Sequence, residues 1–358
     1  AETAYELRGM TTPSPVVLQR ALRRMRDAGA DTVVMEVTSH ALDMDRVHGL
    51  TFGGGLIAAI RPGEHIDFHR NFDDYVASKR RILRYIKPGA LVAYDADNRA
   101  ATSIARERPD VRDAGFSLRR TPIGGDAAEG ERRREVLDDR RIMSFADAVL
   151  DDQGAVFTVD GVRVRSALLG RANLRNVALA LTFARQIGLP VEDARGALAG
   201  LTALSRRMER YELGGRTVLD DTAGHPESFD ATFEVADLIP AERVVVAYAL
   251  RGSRGADINR RNALSLAEHA LTLGAYRTIV TEASDTCGPL DRVRPEEAAA
   301  ARQAFKERGV SPAWHETMQG AMEDAAAHSR AGDLVVLVGA QGMNAGRSAL
   351  ASVLSPEP

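Results

Sequence analysis

The 358-residue sequence predicts an α/β protein of two domains, each built on a largely parallel sheet. Three observations lead there. The chain exceeds the roughly 250–300 residues at which a single core stops growing. Strand-like apolar runs alternate with segments of helical periodicity from residue 14 onward, the pattern of βα units and hence of parallel strands. Near Ser205 this rhythm stops and starts afresh, which sets the expected domains at residues 1–204 and 205–358, the second being smaller and Rossmann-like.

The elements follow in order. "SPVVLQRALRRMRDAG" is a helix with Ser14 as N-cap, Pro15 at the first helical position and Gly29 as its stop. "TVVMEV", residues 32–37, is apolar and β-branched and is expected as a strand, with Glu36 near its carboxyl end. A second strand near residues 56–60 leads into "RPGEHIDFHRNFDDYVASKRRILRYIKPG", helical in its later half, and then into the strand "ALVAYD". Residues 119–142 hold few large apolar side chains and read as a solvated loop or insertion. Strands around 155–169 precede two helices, "NLRNVALALTFARQIG" and "VEDARGALAGL". The second domain then supplies four strands, "TVLDD", "RVVVAYAL", "RTIVTEA" and "DLVVLVGA", separated by helical patterns.

Composition excludes several functions. The net charge of −3 gives no basic field for nucleic acid or an anionic membrane. A single cysteine, Cys287, forbids an internal disulfide framework and fits a reducing cytoplasm. No apolar run approaches the ~20 residues that span a bilayer, so a cytoplasmic protein without membrane insertion is expected.

Chemistry concentrates after residue 35. Ligands of open parallel sheets sit beyond the carboxyl ends of strands, where Glu36 is expected. His40, His48, His65 and His69 fall between there and the segment just past residue 60, with Asp67 beside them. A carboxylate and imidazoles converging on one edge could ligate a divalent ion. Equally, Glu36 could cap the following turn while the histidines lie on the surface. "HIDFH" lacks the glutamate of a zinc-protease pair. Of 47 basic residues only Lys79, Lys87 and Lys306 are lysines. Lys79 stands beside two arginines in "SKRR", which suggests a need for an amine rather than a cation, because arginine does not lose its proton.

The segments "TTPSP", "MEVTSHALDMDRVHG", "EHIDFH", "DDYVASKRRIL", "GRANLRNVALAL", "SRRMERYE" and "DDTAGHPES" occur in the order seen in the Mur ligases. Most of residues 10–230 resembles that family, above all its UDP-N-acetylmuramoyl-tripeptide synthetases. The resemblance implies a central ATPase-type domain and a C-terminal Rossmann-like domain. It implies an ATP-dependent ligase that phosphorylates a substrate carboxylate and lets an amine displace the phosphate. ATP and Mg2+ are the implied cofactors. The implied partners are a UDP-linked carboxylate substrate and an amino-acid amine donor, in cell-wall or related peptide biosynthesis, with the protein a monomer. Glu36 and His65 resemble magnesium ligands, and Lys79 resembles a lysine that takes up carbon dioxide and becomes a metal-binding carbamate; His65 and Lys79 are thereby the implied catalytic pair. Thr11, Thr12, Thr38 and Arg46 match positions that hold the nucleotide-linked substrate. Asn173 and Asn176 match asparagines near the adenine, and Arg207 and Asp221 match ATP-contacting positions.

The chain also departs from the family pattern. A Gly-Lys-Thr phosphate loop occurs nowhere in it, and the resemblance places that loop upstream of Ala1, so a fragment or processed form is expected. "ALRGSRGADINRRNA" stands where a glycine-rich stretch with arginine and lysine is usual, offering Arg251, Arg254 and Arg260 for phosphate or carboxylate contacts. "TEASDTCGPLDRVR" replaces the Asp-Asn-Pro-Arg signature of diaminopimelate selection, which leaves the added amino acid open. Two alternatives stand beside the ligase: a catalytically inactive binding protein that keeps the fold, and a metal-dependent hydrolase using Glu36, His65 and His69.

Overall fold

A computed structural model describes residues 11–62, 68–118 and 141–354. The chain divides into two compact units, residues 1–146 with 178–191, and residues 147–177 with 192–358. Among the described residues no helix is long and apolar enough to cross a membrane.

In the first unit, helix α1 (Pro15–Asp27) starts at Ser14 in extended conformation and buries Leu18 and Ala21. The short helix α2 (Ser39–Asp43) is capped by Thr38, whose side chain accepts from the Ala41 N–H at 3.1 Å. Four parallel strands form the sheet in the order β1 (Phe52–Ile57), β2 (Ile86–Asp95), β3 (Arg112–Ser117), β4 (Ile142–Ser144). β2 lies inside the sheet, and its residues 90–95 are all buried, as expected of a parallel strand covered on both faces. Gly54 of β1 admits the ring of Phe183, which an added Cβ would meet at 2.6 Å. Helices α3 (Phe72–Arg80) and α4 (Arg99–Ala105) follow β1 and β2. Tyr75, Ile104 and Tyr94 join Ile57 and Val92 in this unit's core.

Residues 32–37 do not form the expected strand. They lie in no β-ladder, with Val33 41% and Val34 87% exposed. β-propensity describes fit to a neighbouring strand, and among the described residues no strand pairs with this segment. Its place is taken by a side chain. The Thr12 hydroxyl donates to the Glu36 carbonyl at 3.0 Å and accepts from the Thr38 N–H at 3.1 Å, so it occupies two backbone groups that a strand partner would otherwise use.

The second unit holds a three-stranded sheet, β5 (Ala146–Asp151), β6 (Gly154–Val159) and β7 (Val162–Ser166), with its first residue assigned to the other unit. Helix α5 (Gly170–Gln186) contains the point of division, and α6 (Val191–Ala199) comes next. The larger sheet contains β8 (Glu209–Leu213), β9 (Arg216–Asp221), β10 (Val244–Ala249), β11 (Arg277–Thr281), β12 (Ala313–His315) and β13 (Leu334–Val338). Its order is β12-β11-β10-β13-β9-β8, parallel throughout except for β8 against β9. The four strands read from sequence are β9, β10, β11 and β13. The antiparallel edge β8 turns into β9 through Gly214 and Gly215, both at positive φ (56° and 74°), as a two-residue hairpin requires. Helices α7 (Pro226–Leu238), α8 (Ala256–Thr272), α9 (Pro295–Glu307), α10 (Met318–Ala327) and α11 (Gly346–Leu354) complete the unit. Phe229, Phe233, Leu266 and Phe305 cover one face of the sheet, and Met318, Met322 and Leu350 cover the other. Strand order reverses between β10 and β13, which makes the carboxyl ends of β9, β10 and β13 the place where such sheets bind ligands.

Candidate functional site

The first unit brings four of the sequence-predicted residues together around Thr12, which is completely buried. Besides its bonds to Glu36 and Thr38, Thr12 presents its carbonyl to Arg46, whose Nη1 donates at 3.2 Å. Arg46 is held near this rim because residues 44–50 fold into successive turns, with Asp45 at φ 49°. The main chain of Glu36 is therefore pinned while its side chain remains exposed. Thr11 is exposed at the same edge.

Behind the rim lies a buried contact that sequence reasoning did not assign. His69, with its side chain 1% exposed, places Nε2 2.9 Å from the Ser39 hydroxyl. Its Nδ1 lies 3.7 Å from Asp43 and 4.0 Å from Asp74. This fastens the first residue of α2 to the segment that starts α3. The His40 ring lies against that of Phe68, tilted by 32°, with ring centroids 3.8 Å apart. Lys79 occupies the last turn of α3, half-buried, its Nζ 5.6 Å from the Tyr75 ring centroid. His65 lies outside the described residues.

Among the described residues no three His, Cys, Asp or Glu side chains gather into a metal cage. Magnesium asks for less, since it is commonly held by one or two carboxylates with waters and substrate phosphates. The exposed carboxylate of Glu36 on a fixed main chain is a donor of that kind.

The second unit holds the other predicted residues. Asn173, in the first turn of α5, donates through Nδ2 to the Leu169 carbonyl at 2.9 Å, and exposed Asn176 donates to its Oδ1 at 3.4 Å. Arg207 is exposed, with Nη1 2.8 Å from the Thr222 hydroxyl. Asp221 ends β9 at 8% exposure, and both its oxygens are engaged: Oδ1 accepts from the Met208 N–H at 2.9 Å, and Oδ2 from the Thr232 hydroxyl at 2.8 Å. Arg251 follows β10, its main chain bonded in both directions to the buried Asn259 amide.

Arg206, which sequence reasoning passed over, is the buried neighbour of Arg207. At φ 57° it turns inward and donates to Asp220 at 3.0 Å, to the Asn344 side chain, and to the carbonyls of Gly339 and Ala340. It thereby ties the entry of β8 to the end of β13. Burial pushes the Asp220 carboxyl up to about 6 despite the opposing pull of Arg206. Two adjacent arginines give no signal in sequence as to which of them is buried.

A family model described as the Mur ligase middle domain matches residues 2–184, and one described as the Mur ligase, glutamate ligase domain matches residues 206–341. The chain belongs to the Mur ligase family. Among curated Mur ligases, it is 30% identical over 246 residues to the UDP-N-acetylmuramoyl-L-alanyl-D-glutamate--2,6-diaminopimelate ligase of Geobacter metallireducens, covering 68% of this chain and 46% of that protein. It is 29% identical over 338 residues to the ligase of the same name from Pseudomonas aeruginosa, covering 93% of this chain and 63% of the relative. The chain thus spans about half to two thirds of these relatives' length. Solved Mur ligases share the fold. MurF from Acinetobacter baumannii aligns with TM-score 0.64 at 17% identity, over 85% of this chain and 60% of that one. MurF from Thermotoga maritima, in complex with ADP, aligns with TM-score 0.61 at 16% identity, over 89% and 66%. These findings agree with the family expected from the collinear segments and with a pair of Mur ligase α/β domains.

Proposed function

We propose that the native protein is an ATP-dependent carboxylate–amine ligase acting on a UDP-N-acetylmuramoyl-peptide or a closely similar substrate. A substrate carboxylate oxygen attacks the γ-phosphorus of ATP, forming an acyl phosphate as ADP departs. An amino-acid amine then attacks the acyl carbon, phosphate leaves, the nitrogen gives up a proton, and an amide remains. Family membership supports this reading, and the rim around Thr12 carries it on this chain.

The side chains divide the work by chemistry. Thr38 and Arg46, with Thr11 at the edge, offer hydroxyl and guanidinium donors that suit carboxylate and phosphate oxygens of the substrate. Thr12, being buried, fixes their spacing. Glu36, together with His65 and Lys79 as its carbamate, would hold magnesium, which supplies charge neutralisation for the phosphoryl oxygens. In the second unit Asn173, Asn176, Arg207, Asp221 and Arg251 are the residues we assign to the nucleotide. The amine donor is an amino acid whose side chain the family signature does not specify here.

The test is ATP- and amine-dependent ADP release with amide formation by the native protein, using UDP-N-acetylmuramoyl-L-alanyl-D-glutamate and a panel of amino acids. Lys79→Arg, measured beside Lys87→Arg and Lys306→Arg, is expected to lose at least about 100-fold in turnover while the controls stay near wild type, since a guanidinium does not form the carbamate. Near-wild-type turnover in Lys79→Arg would return Lys79 to an ordinary surface cation. Absence of ADP release with every amine would overturn the ligase reading.

A further inference from the structure

The turn from β10 into α8 has the form of an anion nest, and the chain fills it with one of its own carboxylates. Three successive backbone N–H groups converge on Glu297: Ser253 donates to Oε2 at 3.0 Å, and Arg254 and Gly255 donate to Oε1 at 2.7 and 2.6 Å. A fourth donor, the Arg294 N–H at the N-cap of α9, reaches Oε2 at 2.8 Å. Glu297 is completely buried. The turn is built for closeness. Ser253 and Gly255 have φ of 57° and 94°, and a Cβ at Gly252 would stand 2.2 Å from the Asp291 carbonyl oxygen, so only glycine fits there. Ser253 Oγ adds a bond to the Arg292 carbonyl at 3.1 Å.

In sheets of this class, a tight turn leading to a helix N-terminus commonly receives a phosphate, because its N–H groups and the helix dipole both favour an anion. Here that position is taken. A second anion at the same N–H groups would meet a like charge at contact distance in a buried setting.

We propose that Glu297 acts as an internal substitute for a bound phosphate, so that the β10–α8 turn is a rigid support that positions Arg251 and Arg254 rather than a phosphate cradle. The identity of the anionic substrate group these arginines meet rests on the ligase reading above. Asn259 fixes the main chain of Arg251 from one side, and Glu297 fixes that of Arg254 from the other. Arg254 also lies 3.6 Å from Asp291, the residue whose carbonyl crowds Gly252. Burial alone would raise the Glu297 carboxyl, but the N–H groups of Arg294, Gly255, Ser253 and Arg254 outweigh it and hold it below its ordinary value. The group is therefore ionised at neutral pH, as an internal anion must be.

The experiment compares the native protein with Glu297→Ala and Glu297→Gln in thermal unfolding, with acetate against chloride at equal ionic strength, and in steady-state ligation. Wild type should unfold at the same temperature in both salts. Glu297→Ala should be less stable in chloride and regain several degrees in acetate, which can refill the nest. In chloride both variants should show KM for ATP, the substrate assigned to Arg251, raised about tenfold or more with a smaller change in kcat, and acetate should lower KM for the alanine variant only. An alanine variant with wild-type KM and no response to acetate would overturn the proposal. Should that variant fail to fold, an unchanged KM in the shape-conserving glutamine variant would overturn it equally. A native protein without ligase turnover would defeat the ligase reading while leaving the acetate-dependent unfolding to decide the role of Glu297 in the nest.

Discussion

Glu36 and Asp221 each close an apolar run and are each followed by a hydroxyl-bearing residue within two positions, yet they are held in opposite ways. At Glu36 the main chain is fastened, through Thr12, and the carboxylate is left exposed. At Asp221 the carboxylate is itself the fastener, its two oxygens taken by the Met208 N–H and the Thr232 hydroxyl. Asp220, Glu297 and Asp333 of the second unit are held as Asp221 is, buried and bonded to their own chain, and so is Asp95 of the first, which accepts from the Asp97 N–H at 3.0 Å. An acid whose lone pairs are used internally supports architecture first. One whose backbone is pinned and whose side chain is exposed contributes little to the fold, and at Glu36 the proposed function gives it a ligand.

Substitution can break this comparison most sharply at Asp221. Asp221→Ala leaves the buried Met208 N–H without its acceptor and takes from the buried Thr232 hydroxyl one of its two acceptors, the other being the Ser228 carbonyl at 2.9 Å, and should cost about 2–3 kcal/mol, measured by urea unfolding, whereas Glu36→Ala should stay within about 0.5 kcal/mol of wild type. Equal losses at the two sites would erase the distinction.

Thr12 offers a smaller effect of mixed kind. Thr12→Val keeps the shape but removes the hydroxyl that bridges Glu36 and Thr38, and should cost about 1–2 kcal/mol and raise substrate KM; Thr12→Ser should retain both. A silent valine variant would show that the rim is held by something else.

The pH dependence of stability sharpens the comparison within the second unit. Asp220 has its folded value raised to about 6 from 3.8, so the folded state binds the extra proton and stability declines as pH rises between those values. Asp324 is the reverse case. Burial opposes ionisation there, but bonds from Arg277 and His315 and the nearby His328 hold its carboxyl below 3.8, so its contribution is present above that value and fades as pH falls through the folded one. Unfolding free energies from pH 3 to 7 should show Asp220→Asn flattening the upper part of the profile and Asp324→Asn the acid end. An unaltered upper profile in Asp220→Asn would contradict the assignment.

How much of this was legible in the sequence follows the same physics. The strands β9, β10, β11 and β13 were readable because parallel strands covered on both faces are continuous apolar runs between turn residues. Residues 32–37 read the same way and form no strand, since a ladder needs a neighbour and propensity cannot say whether one is there. The edge strand β8 was not read from the sequence, because the charged "ERYEL" hid it even though Gly214 and Gly215 follow it. At the candidate site, Thr12, Thr38 and Arg46 were reached through resemblance alone; two threonines before a proline carry no chemical signal. Glu297 was marked only by its third position in a helix, the spacing of a residue that reaches back to the N-cap, while exposed Glu296 beside it looks identical in sequence. Its bonds to residues 253–255 come from chain more than 40 positions away, which local pattern does not register.

The central claim is that the pinned, exposed Glu36 serves chemistry and not stability. Its most direct test is Glu36→Gln in the native protein, with melting temperature and ATP-dependent amide formation measured on the same preparation. The account predicts a melting temperature within about 1 °C of wild type together with a loss of turnover of at least about 100-fold. A Glu36→Gln protein that ligates at the wild-type rate, or one that loses its activity only by unfolding, would contradict it.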